Sequence, residues 1–157
     1  MSEEEYNNTM IEAFIDKPEK TLWYQMAFKK YNVNGIDSMK WNWSWWAFFG
    51  GWGFLLYRKQ YLASALIFVL SMLISFIPFA GFILSTFIGG FGTYIVYKGY
   101  KTKLAEVEAN ITNVEDKIET MRQIGGYNQW VIWVYAIFVT IAFIGIISSL
   151  IIPSFNN

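Results

Sequence analysis

The chain has 157 residues, of which 55% are apolar, 20% aromatic and only 15% charged. That length suits one domain, and the charged fraction falls well below the roughly one quarter of a soluble domain, so composition points to an integral membrane protein. Lys+Arg and Asp+Glu balance at 12 each, with no His and no Cys. The balance offers no footprint for nucleic acid, and the missing residues exclude disulfides, thiol, Ser-His and Cys-His catalysis, Cys/His zinc sites and haem ligation by those groups.

Residues 1–40 read as cytoplasmic amphipathic helices. The opening MSEEEYNN is acidic with no apolar core at signal-peptide distance, so no cleaved leader is expected. Met10, Ile11, Phe14 and Ile15 form a short apolar face. Asp16-Lys17-Pro18-Glu19 predicts a break and restart, with Asp16 as cap, Pro18 in the first turn and Glu19 closing a capping box. Leu22, Trp23, Met26, Ala27 and Lys30/Tyr31 then recur at helical spacing, and Asn32 to Gly35 ends the helix. Two readings stand here. The helix packs on its own protein, or it rests on lipid headgroups, a level that Trp23 and Tyr24 favour.

Residues 41–60 concentrate aromatic side chains: Trp41, Trp43, Trp45, Trp46 and Trp52, with Phe48, Phe49 and Phe54 around Gly50-Gly51 and Gly53, ahead of Arg58-Lys59. As a helix, 43–57 would reach about 22 Å, short of the roughly 30 Å hydrocarbon core. The stretch therefore reads as an interfacial or re-entrant element that enters and leaves on one side, bending at the glycine pair. Trp43, Trp46, Trp52 and Tyr57, with Arg58 and Lys59, are its candidate headgroup anchors. The basic pair either snorkels to phosphates or forms a specific site for anionic headgroups framed by Trp52 and Tyr57.

Residues 61–97 predict a transmembrane hairpin: an uncharged span from Tyr61 to about Phe79, a turn at Pro78 to Gly81, and a return span from Phe82 to Tyr97. Ser85, Gly89, Gly90 and Thr93 give small-xxx-small pairs for close helix packing, with the first span as expected partner and a dimer face as the alternative.

In residues 98–126, Leu104, Val107, Ile111, Val114, Ile118 and Met121 alternate at three and four, a coiled-coil-like a/d pattern suited to a partner or to self-association. The stretch would be about 40 Å long as one helix. Gly125 to Asn128 reach at most about 14 Å before the next span. It must therefore lie flat on the membrane or fold into two helices, the second starting at Thr112-Asn-Val-Glu115. The unbroken a/d pattern favours one flat helix. Residues 127–157 hold the third span, Trp130 to Ile152, closed by Pro153 and a short external tail.

If 43–57 does not span, Arg58, Lys59, Lys98, Lys101, Lys103, Lys117 and Arg122 share one side, and the other side carries no charge. That is a positive-inside pattern, with a cytoplasmic N-terminus and an outside C-terminus. The expected class is an all-α, multi-pass membrane protein. It has three transmembrane helices, an aromatic interfacial or re-entrant helix and cytoplasmic amphipathic helices.

Asn42, Trp43, Ala47, Phe48, Phe49, Trp52, Leu56, Tyr57, Arg58, Lys59 and Tyr61 follow an amphipathic segment and precede the hairpin. In this, residues 14 to 100 resemble the domain-of-unknown-function family 2628 of small bacterial membrane proteins. The resemblance implies a bacterial inner membrane location and no activity.

The spans carry no ionisable side chain, and their Ser and Thr residues read as packing groups. Glu106, Glu108, Glu115, Asp116 and Glu119 lack EF-hand spacing and read as a solvated face. No catalytic residue, metal site or cofactor is expected. The chain reads as a non-enzymatic scaffold or accessory subunit of a membrane complex, with lipids and a protein partner or further copies of itself as its associates. The alternatives are a homo-oligomeric channel or transporter component, and a lipid-modifying enzyme, which the missing catalytic groups disfavour.

Overall fold

A computed structural model describes residues 2–33 and 35–151. Apart from one two-stranded hairpin, its regular structure is helical, and it divides into two compact units, Met1–Tyr127 and Asn128–Asn157.

In the first unit, α1 (Glu3–Ile15) starts at a capping box that sequence reading passed over. Ser2 Oγ accepts from Glu5 N–H at 3.2 Å and Glu5 Oε2 accepts from Ser2 N–H at 3.3 Å. Glu3, Glu4 and Glu5 in the first turn complement the positive end of the helix. The break falls at residues 16–17, but Asp16 does not cap the next helix as expected. It ends α1 in the left-handed region at φ 49°. Lys17 holds the N-cap position of α2 (Pro18–Tyr31) without a side-chain bond, and Pro18 begins that helix.

The face that α2 buries also differs from the expected stripe. Thr21, Tyr24, Ala27, Phe28 and Tyr31 face inward, and Leu22 and Met26 face out. Aromatic rings decide this. Phe28 packs between Tyr97 at 5.2 Å and Tyr100 at 5.3 Å, and Tyr100 meets Phe14 of α1 at 5.3 Å. After α2 the chain forms an antiparallel pair, β1 (Asn32–Val33) and β2 (Ile36–Asp37), in place of a simple helix stop. Asn32 Oδ1 accepts from Gly35 N–H at 3.1 Å, and Gly35 supplies φ 80°. Asn34, part of the expected stop, lies outside the described residues.

The aromatic stretch becomes two short helices, α3 (Trp45–Gly50) and α4 (Trp52–Tyr57), joined at Gly51. Ser44 Oγ caps α3 by accepting from Ala47 N–H at 3.3 Å. Gly51 sits at φ 52°, ψ −131°, a conformation essentially reserved for glycine.

The expected first span is helical only as α5 (Tyr61–Leu73), 13 residues and about 20 Å long. Residues 74–79 are turns, and Phe79 takes φ 63°. In contrast, α6 (Ala80–Asn110) runs 31 residues, about 46 Å, fusing the expected second span with the first part of the a/d segment. The expected continuous flat helix over 98–124 is broken at 111–113, and α7 (Val114–Ile124) restarts there. Asn113, not Thr112, supplies the cap, its Oδ1 accepting from Glu115 N–H at 3.1 Å. A short Asx-type cap outweighs the continuity of the apolar pattern.

The second unit is α8 (Gln129–Ile151), 23 residues and about 34 Å. Among the described residues, two helical stretches are thus long and apolar enough to cross a membrane, Ala80–Asn110 and the part of Val114–Ser149 that α8 contributes. The expected stop at Pro153 and the external tail lie outside the described residues.

Candidate interface site around the aromatic segment

The first half of the aromatic segment is held by α6, and α4 packs on α5. Residues 41–44 run extended along the glycine face of α6. Asn42 N–H donates to Gly90 O at 2.9 Å and Ser44 N–H to Gly89 O at 2.8 Å. Helix carbonyls are shielded by side chains almost everywhere, and only absent Cβ atoms let a second backbone approach them this closely. A Cβ at Gly89 would stand 3.0 Å from Phe48 Cβ and from the Trp43 ring, and one at Gly90 would strike the Trp41 ring. Thr93 is buried on the same face, with Ser85 half-buried a turn before. The small-residue pattern therefore marks a close approach, and its partner within the chain is the tryptophan segment in place of the first span.

Trp43 stacks on Trp41 at 5.9 Å and meets Trp45 edge-on at 5.1 Å. Trp46 is 73% exposed, with Lys20 Nζ 5.8 Å from its ring centre. Trp52 packs on Phe68 at 4.9 Å, and its carbonyl accepts from Ser64 Oγ at 2.8 Å, tying α4 to α5. Of the expected anchors, Trp46 faces out, whereas Trp43, Trp52 and Tyr57 are half-buried.

Arg58 departs furthest from expectation. It is 4% exposed and faces the protein interior, so it does not suit a headgroup anchor. Its Nε donates to Tyr24 Oη at 3.0 Å and its Nη1 to Ile15 O at 3.1 Å, with the guanidinium 4.5 Å from the Tyr24 ring centre. Ile15 closes α1, so the charge meets the negative end of that helix. Among the described residues Arg58 has no carboxylate partner. Burial pushes the Tyr24 phenol up, and the neighbouring Arg58 partly opposes this.

Lys59 turns the chain at φ 55°, half-buried beside the Gly125-Gly126 corner. That corner is where α1 and α7 meet: Gly126 N–H donates to Phe14 O at 2.7 Å, and a Cβ on Gly125 would lie 2.5 Å from the same oxygen. Lys103 Nζ donates to Ile124 O at 2.7 Å, serving the negative end of α7 as Arg58 serves that of α1. Lys17 rests over the Tyr127 ring at 4.4 Å, and its contact with Tyr57 raises its pKa.

Sequence reading also missed the lock on the β-hairpin. Asp37 Oδ1 accepts from Tyr97 Oη and from Asn32 Nδ2, the latter at 2.9 Å, and Lys98 Nζ lies 3.6 Å from Asp37 Oδ2. The Tyr97 hydrogen bond, then Asn32 and the nearby lysines, hold the Asp37 carboxyl below the ordinary aspartate range. Nothing in the spacing signals a pair so distant in sequence. Gln60 is a second omission: its amide fills the notch at Gly99, seating the α4–α5 corner on α6.

The six a/d residues are largely engaged inside the chain. Leu104, Val107 and Met121 are buried in the core formed with α1, Ile111 and Ile118 are half-buried, and Val114 alone is exposed. The coiled-coil face expected to reach a partner or a second copy has instead an intramolecular partner, because the break at 111–113 folds α7 onto α1. Among the described residues, no group of three or more Asp, Glu, His or Cys side chains is disposed to hold a metal ion. Compared with known proteins, the chain matches no family model, no curated protein and no solved structure.

Proposed function

We propose that the chain is a non-enzymatic integral membrane protein that serves as a scaffold or accessory subunit of a membrane complex. The observation that carries this reading is the division of the first unit's surface. Leu62, Leu66, Phe76, Phe79, Phe82 and Phe87 stand exposed on α5, the following turn and the start of α6. The outer surfaces of α1 and α7 are charged. Water does not tolerate an apolar surface of that extent on a monomer, and lipid does. The α1, α2 and α7 layer then forms a platform on the cytoplasmic side. The spans are residues 61–79 around α5, α6 as far as about Tyr97, and α8. The N-terminus is cytoplasmic and the C-terminus outside, in accord with the charge distribution. The resemblance of residues 14–100 to the bacterial family points to an inner membrane.

Extraction in mild detergent with identification of co-purifying chains tests the role. A reproducible stoichiometric partner is expected, with no ion flux above background in proteoliposomes. Flux that depends on the protein would replace the scaffold with a channel. Reporter fusions at residues 35, 59 and 110 should read cytoplasmic, and an external reading at residue 59 would overturn the topology.

A further inference from the structure

The side of α2 that turns away from the core sets two apolar residues among Glu19, Lys29 and Lys30. Leu22 is 67% exposed and Met26, one turn on, is 57% exposed. The hairpin continues this surface with Val33, Ile36 at 72% exposure and Met39. The lysines of α2 reach the tryptophan segment. Near one end of α2, Lys20 lies against the Trp46 ring, and near the other Lys30 Nζ donates to Trp41 O at 2.6 Å. Helix α2 thus runs alongside the aromatic segment, which is continuous in turn with the apolar surface of α5 and α6.

The charge around this surface is predominantly positive. Lys20 and Lys30 stand at its border, against the Trp46 ring and Trp41 O, and Lys40 follows the hairpin in sequence. The nearby acids are already engaged, Glu19 with Lys17 at 3.8 Å and Asp37 with Tyr97 and Lys98. Apolar side chains rimmed by lysines and edged by tryptophan match the layer where acyl chains give way to anionic phosphates. A second copy of the chain would bring like charges together, and a water-facing role leaves the exposed Leu, Ile and Met unexplained.

We propose that the outer face of α2 and the β1–β2 hairpin form a membrane-surface element that seats on anionic lipid headgroups beside the Trp41–Trp46 segment. This rests on the membrane reading above. It adds a second, monotopic contact to the spans, and fixes the platform against the bilayer along one edge.

The absence of cysteine makes single-site labelling clean. An environment-sensitive fluorophore is placed on Leu22→Cys, Met26→Cys and Ile36→Cys, on Leu66→Cys of α5 and Ile144→Cys of α8, and on Glu115→Cys of α7. Each full-length variant is reconstituted in nanodiscs of phosphatidylglycerol-rich or pure phosphatidylcholine composition. Quenching by headgroup-level spin-labelled lipid, by acyl-chain spin-labelled lipid for the span positions 66 and 144, and by aqueous iodide is then compared. Positions 22, 26 and 36 should be quenched by the lipid label, be shielded from iodide relative to 115, and lose part of that shielding in phosphatidylcholine. Iodide quenching at 22, 26 and 36 equal to that at 115, with 66 and 144 still lipid-quenched, overturns this inference and leaves the membrane reading standing. Shielding from both quenchers would assign the face to a protein partner and overturn it too. Equal lipid quenching in both compositions refutes the anionic preference. Loss of lipid quenching at 66 and 144 would bring down the membrane reading and this inference with it.

Discussion

Replacing Gly125 with alanine tests how tightly α1 and α7 are joined. The added Cβ would lie 2.5 Å from Phe14 O, 2.7 Å from Met121 O and 2.8 Å from Phe14 Cα, all backbone atoms that cannot rotate away. Its φ of −83° lies outside the left-handed region, so no penalty of that kind adds to the contacts. Restoring ordinary contact requires α1 and the corner to part by about 1 Å, and overpacking of this kind costs about 1–3 kcal/mol. The same movement stretches the 2.7 Å bond from Gly126 N–H to Phe14 O, worth about 1 kcal/mol more. A total of about 2–4 kcal/mol is expected, against about zero for Gly81→Ala, where nothing lies within 4 Å. Denaturant titration in a fixed detergent, followed by near-ultraviolet circular dichroism, reads the difference, and limited proteolysis should find α1 cleaved first in the variant. A Gly125→Ala protein within about 0.5 kcal/mol of the parent would refute the close approach.

Further outcomes are expected at Arg58, Gly51 and Asp37. Arg58→Met removes two charge-assisted bonds of about 1.5–3 kcal/mol each but also the cost of burying a charge, so a net loss of about 1–3 kcal/mol is expected by thermal melting. Arg58→Lys should do no better, because one ammonium lacks the guanidinium fork that meets Tyr24 and Ile15 together, and a parent-like Arg58→Lys would show that only the charge matters. Gly51→Ala should cost about 1–3 kcal/mol from backbone strain alone, since no atom lies within 4 Å of the new Cβ, while leaving membrane insertion of α6 intact by carbonate extraction. Asp37 has a folded-state pKa below its unfolded one, so its contribution is present above the unfolded value and lost as pH falls through the folded value. Asp37→Asn should therefore melt below the parent at pH 7, with the gap closing through the acid range below ordinary aspartate titration; a gap unchanged down to full protonation would show that the carboxylate does not titrate the lock.

The helical class, the break near Asp16, the bend at the paired glycines and the long apolar α8 were legible because each depends on neighbours in sequence. What was not legible depends on partners. Both stripes of α2 carry aromatic residues, and only Tyr97 and Tyr100, supplied by α6, decide that Tyr24 and Phe28 go in while Leu22 and Met26 stay out. A basic residue after an apolar run reads as a headgroup anchor, and nothing local announces that α1 brings the Ile15 carbonyl to Arg58. Gly89 and Gly90 state that a backbone comes close without saying whose. In the a/d segment, two correct signals competed: the heptad spacing argued for one helix and the Asn113 cap for two. The cap prevailed, and the helix it began found its partner in α1 of the same chain.

The bonds from Asn42 and Ser44 to the carbonyls of Gly90 and Gly89 impose an order of events on biosynthesis. Their donors leave the ribosome well ahead of their acceptors; at about 5–20 residues per second, roughly 50 residues of chain take several seconds to appear. Through that interval the tryptophan segment has no groove to occupy; under the proposed membrane placement its extended backbone would be solvated at the headgroup layer, where indole rings are at home. Its density of tryptophan then serves as a waiting place for a nascent chain as well as a packing surface for a finished one. A lesion in α6 that leaves α6 able to insert would strand the segment there, fully made and undocked.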